Sequence, residues 1–163
     1  MLGVVLGLAT LIGGFAAVIA FVPRPSVSVG DPVDPKNAFS SAFTVSNNNL
    51  PLEHVAVGVI PRQVDMSTHN RVSADVDAVL TVPSWQAHNL GIDEKLTFSL
   101  TELFGREEGG IKFPEGAQLE TAEIIVTVDY DPWFIPWSRR KKFRFRTHRQ
   151  SNNQLYWYSV PLQ

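Results

Sequence analysis

Ile124-Ile125-Val126-Thr127-Val128-Asp129-Tyr130 decides the fold class of this 163-residue chain. Successive side chains of an extended strand point to opposite faces. Ile124, Val126, Val128 and Tyr130 therefore share one face, and Ile125, Thr127 and Asp129 the other, as in a strand with one buried and one wetter side. The same period of two recurs upstream. Phe39, Ser41, Phe43 and Val45 share a face that runs to the turn Asn47-Asn48-Asn49. Val55, Val57 and Val59 alternate with Ala56 and Gly58, and Pro61 is expected to end that run. Leu96, Phe98 and Leu100 alternate with Thr97, Ser99 and Thr101, and a short helical turn is expected at 101–104. Downstream, Phe143 and Phe145 alternate with Arg144 and Arg146, and Tyr156 and Tyr158 with Leu155, Trp157 and Ser159. Six or seven short strands, frequent turns and no long amphipathic helix predict an all-β fold, a β-sandwich of about seven strands. The stretch 71–83 is ambiguous: Val72, Ala74, Val76 and Ala78 alternate, but Val72, Val76, Val79 and Leu80 also fit one face of a helix.

The first 22 residues are of another kind. Leu2 to Val22 carries no charge, and its only polar side chain is Thr10. As a helix it would be about 31 Å long, enough for the hydrocarbon core of a bilayer. Pro23 and Pro25 would stop it. A cleaved signal peptide is the rival reading. It would need a basic start, a shorter apolar run and a small-residue cleavage site, none of which fits here. A transmembrane helix over 1–22 is therefore expected. Gly3 and Gly7 are four apart, Ala9, Gly13 and Ala17 continue that spacing, and Thr10 precedes Gly14 by four. Small residues on one helix face let a second helix approach closely, although Gly and Ala are also common in membrane helices generally. Residues 23–37 hold Pro23, Pro25, Pro32 and Pro35 with Gly30, Asp31 and Asp34, the composition of a semi-rigid linker. Ser26-Val27-Ser28-Val29 within it alternates like an edge strand. The β-domain is expected over 38–163.

Three segments resemble a known family. Phe43-Thr-Val-Ser-Asn-Asn-Asn-Leu-Pro-Leu-Glu-His-Val-Ala-Val57, Asn89-Leu-Gly-Ile-Asp-Glu-Lys-Leu-Thr97 and Ala122-Glu-Ile-Ile-Val-Thr-Val-Asp-Tyr130 are similar to strands and loops of bacterial immunoglobulin-like surface domains, over roughly residues 38–131. The resemblance implies an immunoglobulin-like sandwich with an extracytoplasmic, periplasmic habit and brings no catalytic residue with it. Against that side of the membrane stands only the weak charge count of Arg24 and Lys36 after the apolar run, with no basic residue before it.

Charge is segregated. Residues 25–138 hold six basic and sixteen acidic side chains, a net of −10. Residues 139–149 hold seven basic side chains (Arg139, Arg140, Lys141, Lys142, Arg144, Arg146 and Arg149) and no acid. Just before them, Asp131-Pro-Trp-Phe-Ile-Pro-Trp137 reads as an apolar loop, with Trp133, Phe134, Ile135 and Trp137 at its tip. Three readings compete. The tip folds back over the core, with Arg144 and Arg146 facing the domain's own carboxylates. Or the tip and Arg139, Arg140, Lys141, Lys142, Arg144 and Arg146 dock on a protein, since Trp and Arg often anchor interfaces. Or the aromatics enter a lipid interface while the basic side chains meet anionic headgroups. Nucleic acid is disfavoured by the −10 of the preceding segment.

No reaction is legible. With no cysteine there is no thiol nucleophile, thiolate metal site or disulfide. His54, His69, His88 and His148 lack metal-ligand spacing, and each reads as a lone exposed side chain. Neither a nucleophile elbow nor a phosphate loop occurs. Asp129/Asp131 and Asp75/Asp77 sit at strand spacing, where a calcium ion or, more simply, a solvated strand end would be found. Gly105 to Gly110 reads as a hairpin loop. The expectation is a single-pass membrane protein without catalysis, cofactor or metal. It would be an accessory or scaffolding subunit meeting other membrane subunits and lipid. A free-standing envelope adhesion or ligand-binding module is the alternative.

Overall fold

The computed structural model describes residues 23–35, 37–67, 79–81, 85, 88–104, 118–133 and 137–162. Among these, nine strands form two antiparallel sheets. They are β1 (Pro25–Pro32), β2 (Ser41–Asn47), β3 (Leu52–Met66), β4 (Leu80–Thr81), β5 (His88–Leu90), β6 (Lys95–Ser99), β7 (Leu119–Pro132), β8 (Arg139–Arg149) and β9 (Leu155–Val160). The smaller sheet has the order β1-β2-β6; the larger has β4-β3-β7-β8-β9, with β5 also paired to β3.

The alternating faces close on each other. Phe43 and Val45 of β2, Phe98 of β6, Val55, Val57 and Val59 of β3, Ile124, Val126 and Val128 of β7, Phe145 of β8 and Trp157 of β9 share one buried core. Phe43 stacks on Phe98 within its sheet, centroids 5.6 Å apart. It meets Phe145 and Trp157 of the other sheet edge-on, at 5.3 and 5.8 Å. Such offset and edge contacts add about 0.5–1.5 kcal/mol each beyond the area buried. The 3-10 turn Ala38–Ser40 delivers Phe39 to the same core; the Asn37 side chain caps it by accepting from the Phe39 N–H at 3.0 Å. A second 3-10 turn, Leu100–Glu102, follows β6, one residue earlier than the sequence suggests.

Three boundaries differ from expectation. Pro61 does not end its strand: β3 runs on to Met66, and the register shifts between Pro61 and Gln63. A bulge there accommodates a residue that has no N–H for the ladder. Asp131 and Pro132 belong to β7, not to the loop; Pro132 is buried and pairs with Leu52. The edge strand expected at 26–29 is present but longer: residues 25–32 form β1, with Val27 opposite Val45 and Val29 opposite Phe43, so the sheet begins before residue 38 rather than after a linker. Of the ambiguous 71–83 stretch, the described part includes β4. Among the described residues no helix is long and apolar enough to cross a membrane. The apolar stretch 2–22, with Gly3, Gly7, Ala9, Thr10, Gly13, Gly14 and Ala17, lies outside the described residues, as does 105–110.

Candidate docking surface

β7 and β8 form the long hairpin whose connection is the Trp133–Ser138 segment. Trp133 and Trp137 at its two ends are each 58% exposed. Phe134, Ile135 and Pro136 lie outside the described residues. The Arg139 guanidinium sits 5.7 Å from the Trp137 ring centroid, within cation–π range.

The turn end of the hairpin is tied down by polar contacts. His54 Nδ1 lies 3.0 Å from Asp131 Oδ2, and the His54 N–H donates to Asn89 Oδ1 at 3.2 Å. His54 has φ 49 and sits in the register shift between Glu53 and Ala56, so the chain turns out of regular pleat there. A hydrogen bond from Ser138, then the one from His54, holds the Asp131 carboxyl below its ordinary range. Burial pushes the Tyr130 phenol up, against the pull of the Arg139 charge. The exposed-histidine expectation is thus incomplete for His54. A carboxylate 77 positions away in sequence gave no local signal of the contact.

Register sorts the basic side chains of β8 into different environments. Arg140 is opposite Asp129 and binds it through two nitrogens, Nε to Oδ1 at 2.6 Å and Nη2 to Oδ2 at 2.9 Å, which raises the Arg140 pKa further. Arg144 reaches diagonally to Glu123, with Nε and Nη2 at 3.0 and 2.9 Å from Oε1 in a half-buried setting. Lys141 is on the other face, over the Phe143 ring at 5.4 Å, and its Nζ donates to the Pro25 carbonyl at 2.9 Å. Among the described residues Lys142 and Arg146 make no ion pair. The six basic residues do not act as one patch: two are neutralised by β7 carboxylates, and the rest turn toward the hairpin tip, the start of β1 and solvent.

Sequence periodicity did not reveal what β9 adds beside them. Tyr156 and Tyr158 lie on its outer side, the Tyr158 ring edge-on to His148 at 6.2 Å. A shallow depression of about 460 Å³ is lined by His148, Gln150, Tyr156, Trp157 and Tyr158. Among the described residues no group of three His, Asp or Glu side chains could hold a metal ion. Asp129 and Asp131 are each engaged as described; Asp75 and Asp77 lie outside the described residues.

Pairing brings several chain-distant segments to one end of the molecule. Pro25 pairs with Asn47, Leu52 with Pro132, and Lys141 holds the Pro25 carbonyl. The buried Asn47 amide donates to the carbonyls of Leu50, Leu90 and Gly91, tying the β2–β3 turn to the loop after β5. The start of β1 at Pro25, these turns and the residues Trp133 and Trp137 therefore share that end. Comparison with protein-family models, curated proteins and solved structures returns no match to the chain.

Proposed function

We propose that this protein is a non-catalytic accessory subunit of a membrane assembly, held by a helix over residues 2–22. The apolar length of that segment and its small residues Gly3, Gly7, Ala9, Thr10, Gly13, Gly14 and Ala17 support a span that packs against a partner's helix. An immunoglobulin-like sandwich then stands at the membrane surface, on the extracytoplasmic side. Its support is strand order: β1-β2-β6 facing β4-β3-β7-β8 corresponds to strands A, B and E facing C′, C, F and G of that fold, with β9 added at the edge. The single observation that carries the proposal is the Lys141–Pro25 contact at 2.9 Å. It ties the strand that follows the aromatic tip to the point where the apolar segment joins the domain. Anchor and tip then work from one face.

Purification of the full chain in a mild detergent tests this. A stoichiometric membrane partner should co-purify, and Gly7→Leu with Gly13→Leu should release it while the β-domain stays folded. A monodisperse monomer in several gentle detergents overturns the accessory-subunit reading.

A further inference from the structure

The turn between β8 and β9 fixes which backbone groups of β9 face outward. The Gln150 N–H donates to the Gln154 carbonyl and the Asn153 N–H to the Gln150 carbonyl, both at 2.9 Å, and Asn153 has φ 64. This is a three-residue loop ending in a left-handed residue, with Gln150 and Gln154 as its closing hydrogen-bonded pair. Bonded and non-bonded pairs alternate along an antiparallel ladder. The β8–β9 register has no shift, so His148–Tyr156, Arg146–Tyr158 and Arg144–Val160 are the bonded pairs. The N–H and C=O groups of Leu155, Trp157 and Ser159 therefore point away from β8. β9 is the last strand of its sheet, and among the described residues these backbone groups have no hydrogen-bond partner. β1 of the smaller sheet passes close by without pairing to it.

A sheet edge is a template for a further strand, and proteins protect edges with charge, proline, bulges or brevity. The other described edges are protected in these ways. β1 contains Pro25, Asp31 and Pro32 and a register shift. β6 starts at Lys95 and runs into a 3-10 turn. β4 and β5 are two and three residues long. The later part of β3 carries Pro61, Arg62 and Asp65. β9, Leu155-Tyr156-Trp157-Tyr158-Ser159-Val160, has no charge, no proline and no bulge.

The edge is also complementary to itself. An antiparallel copy turned about a two-fold axis at Trp157 sets Leu155 against Ser159, Trp157 against Trp157 and Ser159 against Leu155. All three are pairs whose unpartnered groups face each other, giving about six hydrogen bonds. On the outer face Tyr156 of each copy then lies beside Tyr158 of the other, a stabilising aromatic cross-strand pair. The incoming tyrosines meet the depression lined by His148, Gln150, Tyr156, Trp157 and Tyr158. Electrostatics select this edge for self-pairing: no charge lies on either side of the seam. The basic β8 strands of the two copies stand three strand spacings apart, about 14 Å, beyond the screening length of ~8–10 Å. The seam is ~20 Å long and one sheet thick, at the small end of specific interfaces, so the pairing is reversible.

We propose that β9 is a dimerisation edge, through which two copies of this chain join their larger sheets into one continuous antiparallel sheet. This goes beyond the accessory-subunit role and holds whether or not residues 2–22 span a membrane.

The test uses the full chain in a density-matched mild detergent. Sedimentation equilibrium should show a monomer–dimer equilibrium that shifts with protein concentration. Ser159→Pro removes an N–H that the β8–β9 ladder does not use, so the β-sheet circular dichroism should be unchanged while the dimer weakens about tenfold or more. The chain has no cysteine, which makes a second, independent measurement clean. Tyr156→Cys and Tyr158→Cys chains, mixed and oxidised with copper phenanthroline, should form a disulfide-linked dimer. Either variant alone should not, because like positions are then about 8 Å apart, too far to bridge. A monomer at every concentration, a Ser159→Pro dimer of parental strength, or cross-linking no greater in the mixture than in the single variants overturns the proposal.

Discussion

The indole Nε1 of Trp157 donates a buried hydrogen bond of 2.8 Å to the carbonyl oxygen of Ala38, 119 residues earlier. Trp157 belongs to β9 of the larger sheet, and Ala38 opens the turn into β2 of the smaller one. The bond clamps the sheets at a point where Phe39 also stacks on Phe104, centroids 4.5 Å apart. Trp157→Phe keeps an aromatic ring but strands the Ala38 carbonyl, at a cost of about 1–3 kcal/mol. Thermal unfolding of the purified chain should show Tm lower by about 3–10 °C with the β-sheet circular dichroism unchanged. An unchanged Tm would mean the clamp contributes nothing.

Gly58 lies on the face of β3 covered by the segment before β4. A Cβ there would run into the Val79 side chain and stand 2.8 Å from Thr127 Oγ1. Gly58→Ala should therefore destabilise by about 1–3 kcal/mol through overpacking. Gly30, on the edge strand β1, has only the Ala42 carbonyl within reach at 3.7 Å. Gly30→Ala should be neutral, or stabilising by about 0.5–1 kcal/mol as backbone freedom is lost from the unfolded chain. Denaturant midpoints of the two variants should move in different directions or by clearly different amounts.

Asp131 links stability to pH. Its folded pKa lies below the ordinary 3.8 because Ser138 and His54 hydrogen-bond the charged carboxylate. A depressed folded pKa gives a contribution that is present above the unfolded pKa and is lost as pH falls through the folded one. Asp131→Asn should lower the neutral plateau and flatten the acid limb below about pH 4, so that variant and wild type converge in acid. Denaturant midpoints measured from neutral pH down to acid would check this; an unaltered acid limb would contradict it.

The fold class was legible because one physical rule, alternation in and out of a core, wrote itself along 124–130, 55–59 and 143–146. Boundaries were less so. Pro61 and Pro132 are strand breakers by local rule, yet a bulge and a strand end tolerate each one. The edge strand expected at 26–29 is there, but its run through Gly30, Asp31 and Pro32 was not legible among turn-forming residues. The basic run was visible as composition, but its division was not. Whether Arg140 meets Asp129, or Lys141 meets Pro25, depends on register and on which edge of the domain β1 takes, and neither has a local sequence signature. The His54–Asp131 contact was invisible for the same reason.

The most direct measurement is the intact mass and partitioning of the full chain expressed in membranes. A single species of undiminished mass should stay in the membrane pellet after an alkaline carbonate wash and move to the supernatant when Leu8→Arg and Ile12→Arg are introduced. A freely soluble species clipped near residue 22 would contradict the membrane-anchored reading of this protein.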